Sequence, residues 1–245
     1  MESAEKVLII IPTYNERENL PLLVREVLAT VPADVLVVDD NSPDGTGEVA
    51  DRLASSEPRV HVLHRRKKEG LGKAYAAGFT WGLERGCDLL FEMDCDFSHQ
   101  PKYLPDFLEK IKDADVVLGS RNVPGGGVEN WSFLRKLVSK GGSIYARTIL
   151  GLEIKDLTGG FKCFRRRVLE TIDYDRLIIG GYGFQIEMTY RAVKLGFKVV
   201  ETPIIFPDRM KGASKMTRKI FLEALVNIWK LRFAKVEPKA LPPPG

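Results

Sequence analysis

Short, mostly apolar runs recur along the chain, most of them closed by Pro, Gly or Asp and followed by a stretch with helical spacing. The runs are Val7-Leu8-Ile9-Ile10-Ile11, Val35-Leu36-Val37-Val38, Val60-His61-Val62-Leu63, Leu89 to Met93 and Val116-Val117-Leu118-Gly119. A run without polar alternation is the pattern of a strand covered on both faces, as in a parallel sheet flanked by crossover helices. Leu20, Leu23, Val24 and Val27 recur at helical intervals in a helix expected from Glu16 to Thr30, and Asn15 with Glu18 reads as its capping box. Further helices are expected over Thr46 to Ser55, Ala74 to Arg85 and Tyr103 to Lys112. This alternation predicts a right-handed, mostly parallel sheet with helices on both faces.

After Arg121 the pattern changes. Pro124 to Gly127 forms a loop, Leu134 to Leu150 a helix carrying Arg135, Lys136, Lys140 and Arg147, and Asp156 to Phe164 a turn into a short strand. The pair Gly159-Gly160 permits backbone close to a ligand there. A helix from Phe184 to Leu195 follows Gly180-Gly181-Tyr182-Gly183, then come a strand over Lys198 to Glu201 and the segment Ile204 to Phe206. On the loop Pro207 to Lys215, the residues Arg209, Lys211 and Lys215 either close over an anion or are simply solvated. The last helix, Lys219 to Ala234, sets Ile220, Phe221, Leu225, Ile228, Trp229 and Phe233 among basic residues. It suits either an interface with anionic lipid or packing on its own domain or a second subunit. Leu241 to Gly245 reads as a disordered tail.

Composition narrows the class. With 245 residues, 44% hydrophobic and 29% charged, the chain fits one large α/β domain with a full core. Its three cysteines show no C-x-x-C spacing, which implies neither a disulfide framework nor a zinc site. The polar start, Met1 to Lys6, precedes too few apolar residues for a signal peptide, and no apolar run reaches the roughly 18 residues of a membrane span. The expected location is the cytoplasm, and a lipid substrate would be met at a membrane surface.

Ligands of such sheets bind at the carboxyl ends of the strands. Three of those ends carry polar clusters: Thr13-Tyr14-Asn15-Glu16, Asp39-Asp40, and Asp94-Cys95-Asp96. Hard divalent cations such as Mg²⁺ or Mn²⁺ take one or two carboxylates plus substrate phosphates, so Asp94 and Asp96 read as a metal-diphosphate clamp. The bland alternative is an Asx turn with a helix cap. The basic loop Arg65 to Lys73 matches neither the P-loop nor G-x-G-x-x-G; solvated charge is its expected role, although a nucleotide could pass there.

The ordered set Pro12-Thr13-Tyr14-Asn15-Glu16, Asp39 to Thr46, Met93-Asp94-x-Asp96-x-Ser98-His99, Gly119-Ser120-Arg121, Leu157 to Phe161, Gly181-Tyr182-x-Phe184-Gln185-x-Glu187 and Arg209-x-x-Gly212-x-Ser214-Lys215 resembles the dolichyl-phosphate (polyprenyl-phosphate) mannose synthases of glycosyltransferase family 2. The resemblance covers nearly the whole chain. It implies a single GT-A (Rossmann-like) domain over residues 1–217, a basic amphipathic helix over 218–235 and a Pro-rich tail over 236–245. It further implies a GDP-mannose donor, a polyprenyl-phosphate acceptor and inversion at the sugar. By the same resemblance Pro12, Tyr14, Glu16, Val37 and Asp39 hold guanosine, Asp94 and Asp96 hold Mg²⁺ or Mn²⁺, and Cys95 contributes backbone. Arg209 and Lys215 grip the donor diphosphate, and Arg121 and Arg135 receive the acceptor phosphate. Some relatives have Gln where Ser98 stands, and others carry membrane spans. The implied setting is therefore peripheral attachment to the cytoplasmic face of a membrane, or a membrane-anchoring partner protein, with no nucleic acid involved.

A phosphate monoester is already anionic near neutral pH, because its second pKa is about 6, so its attack needs no general base. The three histidines, His61, His64 and His99, form no Ser-His-Asp set. Rival readings are a UDP-glucose donor, a hydroxyl acceptor, a nucleotidyltransferase or phosphatase built on the same carboxylates, and a silent nucleotide-sugar-binding subunit.

Overall fold

In a computed structural model the described residues are 5–179, 183–207 and 218–239, with backbone alone at 134 and 218–224. The first apolar runs form β1 (Val7–Thr13), β2 (Asp34–Asp39), β3 (Val60–His64) and β4 (Leu89–Glu92). Helices α1 (Leu20–Thr30), α2 (Thr46–Ser56) and α3 (Leu71–Glu84) connect them. These four strands lie parallel, in the order β3-β2-β1-β4. Their side chains sort by parity as a pleated strand requires. Ile9, Ile11, Val35, Val37, Leu89 and Phe91 pack on the α1 side. Leu8, Ile10, Leu36, Val38 and Leu90 pack on the α3 side.

Beyond β4 come a 3₁₀ turn at Pro101–Tyr103, α4 (Leu104–Lys110), β5 (Val116–Ser120), the short β6 (Gly127–Val128), α5 (Phe133–Leu150), β7 (Lys162–Arg165) and α6 (Arg166–Thr171). Then follow α7 (Gly183–Lys194), β8 (Val199–Pro203), β9 (Ile205–Phe206) and α8 (Arg218–Phe233). Strand β7 inserts between β4 and β5 and runs antiparallel to both, while β5 and β8 are parallel. The sheet is thus mostly parallel, as the pattern predicts, but the one reversed strand is what shapes the site. Because β7 runs backwards, the segment leading into it, Asp156 to Phe161, arrives at the carboxyl ends of β4 and β5.

That arrival is tight. A Cβ on Gly159 would stand 2.9 Å from the Gly119 carbonyl oxygen, and one on Gly160 would stand 3.4 Å from both Gln185 and His99. Gly159 needs glycine for this approach, whereas a side chain at Gly160 would meet ordinary contact, and the neighbours of both are protein atoms rather than the ligand expected beside the pair.

Helices α5, α7 and α8 enclose a separate apolar cluster that includes Ala146, Leu150, Leu157, Ile186, Tyr190, Ile228 and Leu231. Ile228 and Leu231 bury one side of α8, whereas Val226, Trp229 and Phe233 stay exposed. The expected capping box does not form. Helix α1 starts at Leu20 after Asn19, and Asn15 takes a left-handed conformation (φ 62°) outside the helix. The reason is competition: the amides of Asn15, Glu16 and Arg17 are claimed by side chains of the loop after β2.

Candidate active site

One side of the candidate site is built where β1, β2 and β3 end. Asp39 is buried and accepts from Thr13 Oγ1 (3.0 Å), Ser42 Oγ (2.6 Å) and the Ser42 amide (3.0 Å). The loop after β1 is laced to the loop after β2: the amides of Asn15, Glu16 and Arg17 donate to Ser42, Thr46 and Asp44. Burial pushes the Asp44 carboxyl up, but donors from Thr46 and Arg17 outweigh it and hold Asp44 below its ordinary value. Pro12 and Val37 lie on the paired strands β1 and β2, and Val37 is wholly in the core.

The basic loop is not simply solvated. Arg65 Nη1 lies 2.5 Å from Asp40 Oδ1, and the Lys68 ammonium sits 3.6 Å above the Tyr14 ring. Burial raises the Asp40 pKa, and Arg65 only partly offsets it. Carboxylates at the end of β2 and an aromatic face at the end of β1 draw these cations inward. Lys67, which pairs with Glu69, remains exposed as expected.

The acidic loop starts after β4 has ended at Glu92, so a turn rather than strand geometry places its two aspartates. Phe97 takes a left-handed φ of 61° in that turn. Asp94 is fixed at both ends: its amide donates to His99 Nδ1 (2.9 Å), and its Oδ1 accepts from the Tyr75 hydroxyl (2.9 Å). Asp96 Oδ1 accepts from the amide (3.1 Å) and the hydroxyl (2.5 Å) of Ser98. The His99 ring is buried and stacked on Phe161 at 5.0 Å. Cys95 is buried between the aspartates, its thiol pushed well up by burial and then by the charges of Glu16, Asp96 and Asp94. Glu16 therefore lies within electrostatic range of the acidic loop.

Beneath this loop, Glu92 on β4 stands opposite Lys162 on β7. Burial pushes Glu92 up to about 8 and Lys162 down to about 8. Lys162 donates to the Gln185 carbonyl at 2.7 Å and to its side-chain oxygen. Lys162 thus ties β7 to α7, while Glu92, its register neighbour, lies on the strand that leads to Asp94.

The other side of the cleft is basic. Arg121 follows β5 and is gripped by Asp156, which accepts from its amide (2.9 Å), its Nε (2.7 Å) and its Nη2 (2.7 Å). Nη2 also donates to Thr158 Oγ1 at 2.7 Å. Asp156 is wholly buried, and burial alone would raise its pKa, but Arg121 lowers it further than burial lifts it. Glu201 secures the turn by accepting from the amides of Lys155 and Asp156. Trp131 joins the two arginines singled out in the sequence: the Arg135 guanidinium carbon is 3.9 Å from its ring and that of Arg121 is 5.7 Å away. Phe206 closes the space between the two sides, lying 5.7 Å from the His99 ring, 5.6 Å from Trp131 and 5.3 Å from the Arg121 guanidinium carbon.

The structure thus draws together Tyr14, Glu16, Asp39, Asp94, Cys95, Asp96, Arg121 and Arg135 at one end of the sheet. Arg209 and Lys215 lie outside the described residues. Glu187 is structural: its carboxylate accepts from the amides of Ile178 and Ile179 and from Arg191. Tyr75, Asp156, Trp131 and Phe206 were not picked out as site residues from the sequence. The only signal for Asp156 is its place before the glycine pair; the others look like ordinary core aromatics.

Among the described residues no group of three or more His, Cys, Asp or Glu side chains forms a metal cage. Two carboxylates with room for substrate oxygens are the donor set Mg²⁺ or Mn²⁺ accepts beside a diphosphate. The second Asp94 carboxylate oxygen accepts no hydrogen bond from a described residue, which fits that use.

A family model described as Glycosyl transferase family 2 matches residues 8–173. The chain is 54% identical over 224 residues to an undecaprenyl-phosphate mannosyltransferase of Micrococcus luteus, with 91% of this chain and 92% of that protein covered. It is 51% identical to a polyprenol monophosphomannose synthase of Mycolicibacterium smegmatis, with 93% and 88% covered. A dolichol-phosphate mannosyltransferase of Pyrococcus furiosus is 41% identical, with 92% of this chain and 63% of that protein covered. Among solved structures, glucosyl-3-phosphoglycerate synthase from Mycobacterium tuberculosis, in complex with Mn²⁺, UDP-glucose and phosphoglyceric acid, superposes with a TM-score of 0.66 at 16% identity, covering 94% of this chain and 80% of that one. At that identity the likeness shows the shared fold.

Proposed function

The chain belongs to glycosyl transferase family 2, and from that premise we propose that it transfers mannose from GDP-mannose to a polyprenyl phosphate with inversion, releasing GDP. The observation that carries this reading is the agreement, over nine-tenths of the chain, with two relatives named for mannosyl transfer to a polyprenyl carrier.

The geometry supports a displacement without a general base. His61 and His64 are paired with Asp34 and Asp51, and the buried Glu187 is engaged by amides and Arg191. An acceptor phosphate brings its own negative charge and has no proton to lose. What this chain supplies is charge handling and position. In the reading proposed here, Tyr14, Glu16 and Asp39 border the nucleoside, with Pro12 and the Val37 backbone at its edge. Asp94 and Asp96, with the Cys95 backbone between them, hold a divalent cation. When bound, Mg²⁺ or Mn²⁺ neutralises the negative charge that builds on the departing diphosphate. Arg209 and Lys215 serve the same diphosphate. Arg121 and Arg135, gathered at Trp131, receive the acceptor phosphate, for which a planar guanidinium fork is suited.

The lipid arrives from a membrane surface in this reading. No helix among the described residues is long and apolar enough to cross a membrane. Helix α5, which starts beside Trp131 and Arg135, leaves Phe133 (82%), Leu137 (59%) and Ile144 (49%) exposed, and Lys136 and Lys140 share its exposed surface. On α8, Trp229 and Phe233 are exposed beside Lys230 and Arg232. Large apolar side chains ringed by cations match an anionic lipid interface.

Incubating the protein and Mn²⁺ with radiolabelled GDP-mannose and a polyprenyl phosphate should move label into organic solvent with stoichiometric GDP. Equal transfer from UDP-glucose, or onto a hydroxyl acceptor, would replace the reading. Arg121→Ala should raise the KM for the lipid phosphate while leaving GDP affinity, measured calorimetrically, almost unchanged.

A further inference from the structure

The tyrosine hydroxyl on Asp94 is not among the groups the reaction requires, yet it reaches the acidic loop from a fully buried ring. Tyr75 lies on α3 with no exposed surface. Its ring runs nearly parallel to Phe79 (6.3 Å between centroids, 22° between planes) and to Phe184 (6.2 Å, 10°). Rings on either side hold the phenol where it is, and its single polar atom meets Asp94 Oδ1 at 2.9 Å. Such a bond to a carboxylate is charge-assisted and directional.

Asp94 is fixed from outside its own loop on the side-chain end, by α3, and on the backbone end by His99, which is buried against Phe161. Asp96 Oδ1 accepts from the amide and the hydroxyl of Ser98, two residues along the same turn. A carboxylate that must meet a cation gains from having one oxygen occupied by a neutral donor. Its rotamer is set, its negative charge is retained, and its other oxygen is directed away from the donor.

We propose that Tyr75 is a positioning residue for the cation site: it orients Asp94 so that the carboxylate meets a divalent cation bound with the nucleotide diphosphate. A neutral phenol suits this better than a lysine or arginine, which would cancel the charge the cation needs. Losing such a supporting hydrogen bond typically costs 10–100-fold in metal affinity. The inference rests on the reading of Asp94 as a cation ligand, and the test separates the two.

The experiment titrates Mn²⁺ into the full chain with GDP, following free Mn²⁺ by electron paramagnetic resonance, for wild type, Tyr75→Phe, Asp94→Ala and Phe79→Leu. GDP binding without metal and thermal unfolding are measured on the same proteins. Tyr75→Phe keeps the ring and should weaken Mn²⁺ binding about 10-fold, with metal-free GDP binding and near-ultraviolet circular dichroism unchanged. Phe79→Leu, which loosens the same stack without removing a polar atom, should lower the unfolding temperature and leave Mn²⁺ affinity near wild type. Wild-type Mn²⁺ affinity in Tyr75→Phe, with affinity lost in Asp94→Ala, overturns the role of Tyr75 alone. Wild-type affinity in Asp94→Ala overturns the cation reading and this inference with it. Equal losses in Tyr75→Phe and Phe79→Leu, or loss of metal-free GDP binding in Tyr75→Phe, would make the contact one of packing and also overturn it.

Discussion

Asp94 and Arg121 follow β4 and β5, separated in the sheet only by the antiparallel β7, yet their charges are managed in opposite ways. Asp94 meets a neutral phenol and a backbone-anchoring imidazole, so its charge stays available. Arg121 meets a buried carboxylate through its amide, Nε and Nη2, so its charge is largely balanced before any ligand arrives. In the reading proposed above, the acidic side attracts a cation. The basic side offers a guanidinium locked in one orientation, and in the same reading what it adds for an incoming phosphate is mainly geometry. The contrast suits a reaction in which the leaving diphosphate needs new charge compensation and the attacking phosphate needs alignment.

Removing either aspartate should break the comparison most sharply. Asp94→Ala and Asp96→Ala should each lower turnover on the order of 10³-fold in saturating Mn²⁺, the scale of losing a principal electrostatic contact to a transition state. Mannosyl transfer per minute into organic solvent is the measurement. Turnover near wild type in either variant would remove the reason for reading the loop as a charge-bearing site.

On the basic side the main loss should be in stability. Asp156→Ala leaves a mostly buried guanidinium without its counter-charge, a change that costs about 3–5 kcal/mol when one partner of a buried pair is deleted. Chemical denaturation should show that loss in the midpoint with little change in slope. The pH dependence of the same site has a definite sign. Arg121 holds the folded Asp156 pKa below its ordinary value against the effect of burial. Its stabilising contribution is therefore complete above the ordinary carboxylate range and is lost as pH falls through the depressed folded value. The difference in unfolding temperature between wild type and Asp156→Asn should be widest near neutrality and shrink below about pH 4. A difference that stayed constant down to pH 3 would mean that Asp156 is not held as a charged partner.

How far each side could be read from the residues follows from the range of its interactions. The strands, the helices and the acidic loop were legible because local pattern dictates them: β-branched runs make covered strands, and paired aspartates after a run announce a loop with a purpose. The reversed strand was not, since β7 has only Lys162 to Arg165, and nothing in four residues tells which neighbours it will join or in which sense. With it were hidden the meeting of Asp156 with Arg121 and the place of Trp131 between the two arginines. The capping box at Asn15 and Glu18 was misleading for a related reason: the amides that would have been capped are taken by Ser42, Thr46 and Asp44 from another loop. Glu92 left a trace as a charged residue in an otherwise apolar strand, but its place opposite Lys162 depends on a register that only the folded sheet sets.

The smallest effect should come from the donor side's own cation. Lys68 stands over the Tyr14 ring at 3.6 Å, and Tyr14 is one of the residues proposed to border the nucleoside. A cation on an aromatic face is worth about 0.5–1 kcal/mol where solvent reaches it. If the ammonium steadies that ring for the nucleotide, Lys68→Met should weaken GDP binding about 2–5-fold, the affinity equivalent of that energy, and should leave acceptor KM unchanged. Calorimetric titration of GDP against both proteins at two ionic strengths is the measurement. A loss that disappears at high salt would indicate long-range attraction of the diphosphate instead, since screening removes that and spares a contact. A loss that persists would place the loop after β3 in the nucleotide site, on the same side of the cleft as Asp94 and opposite the balanced arginine.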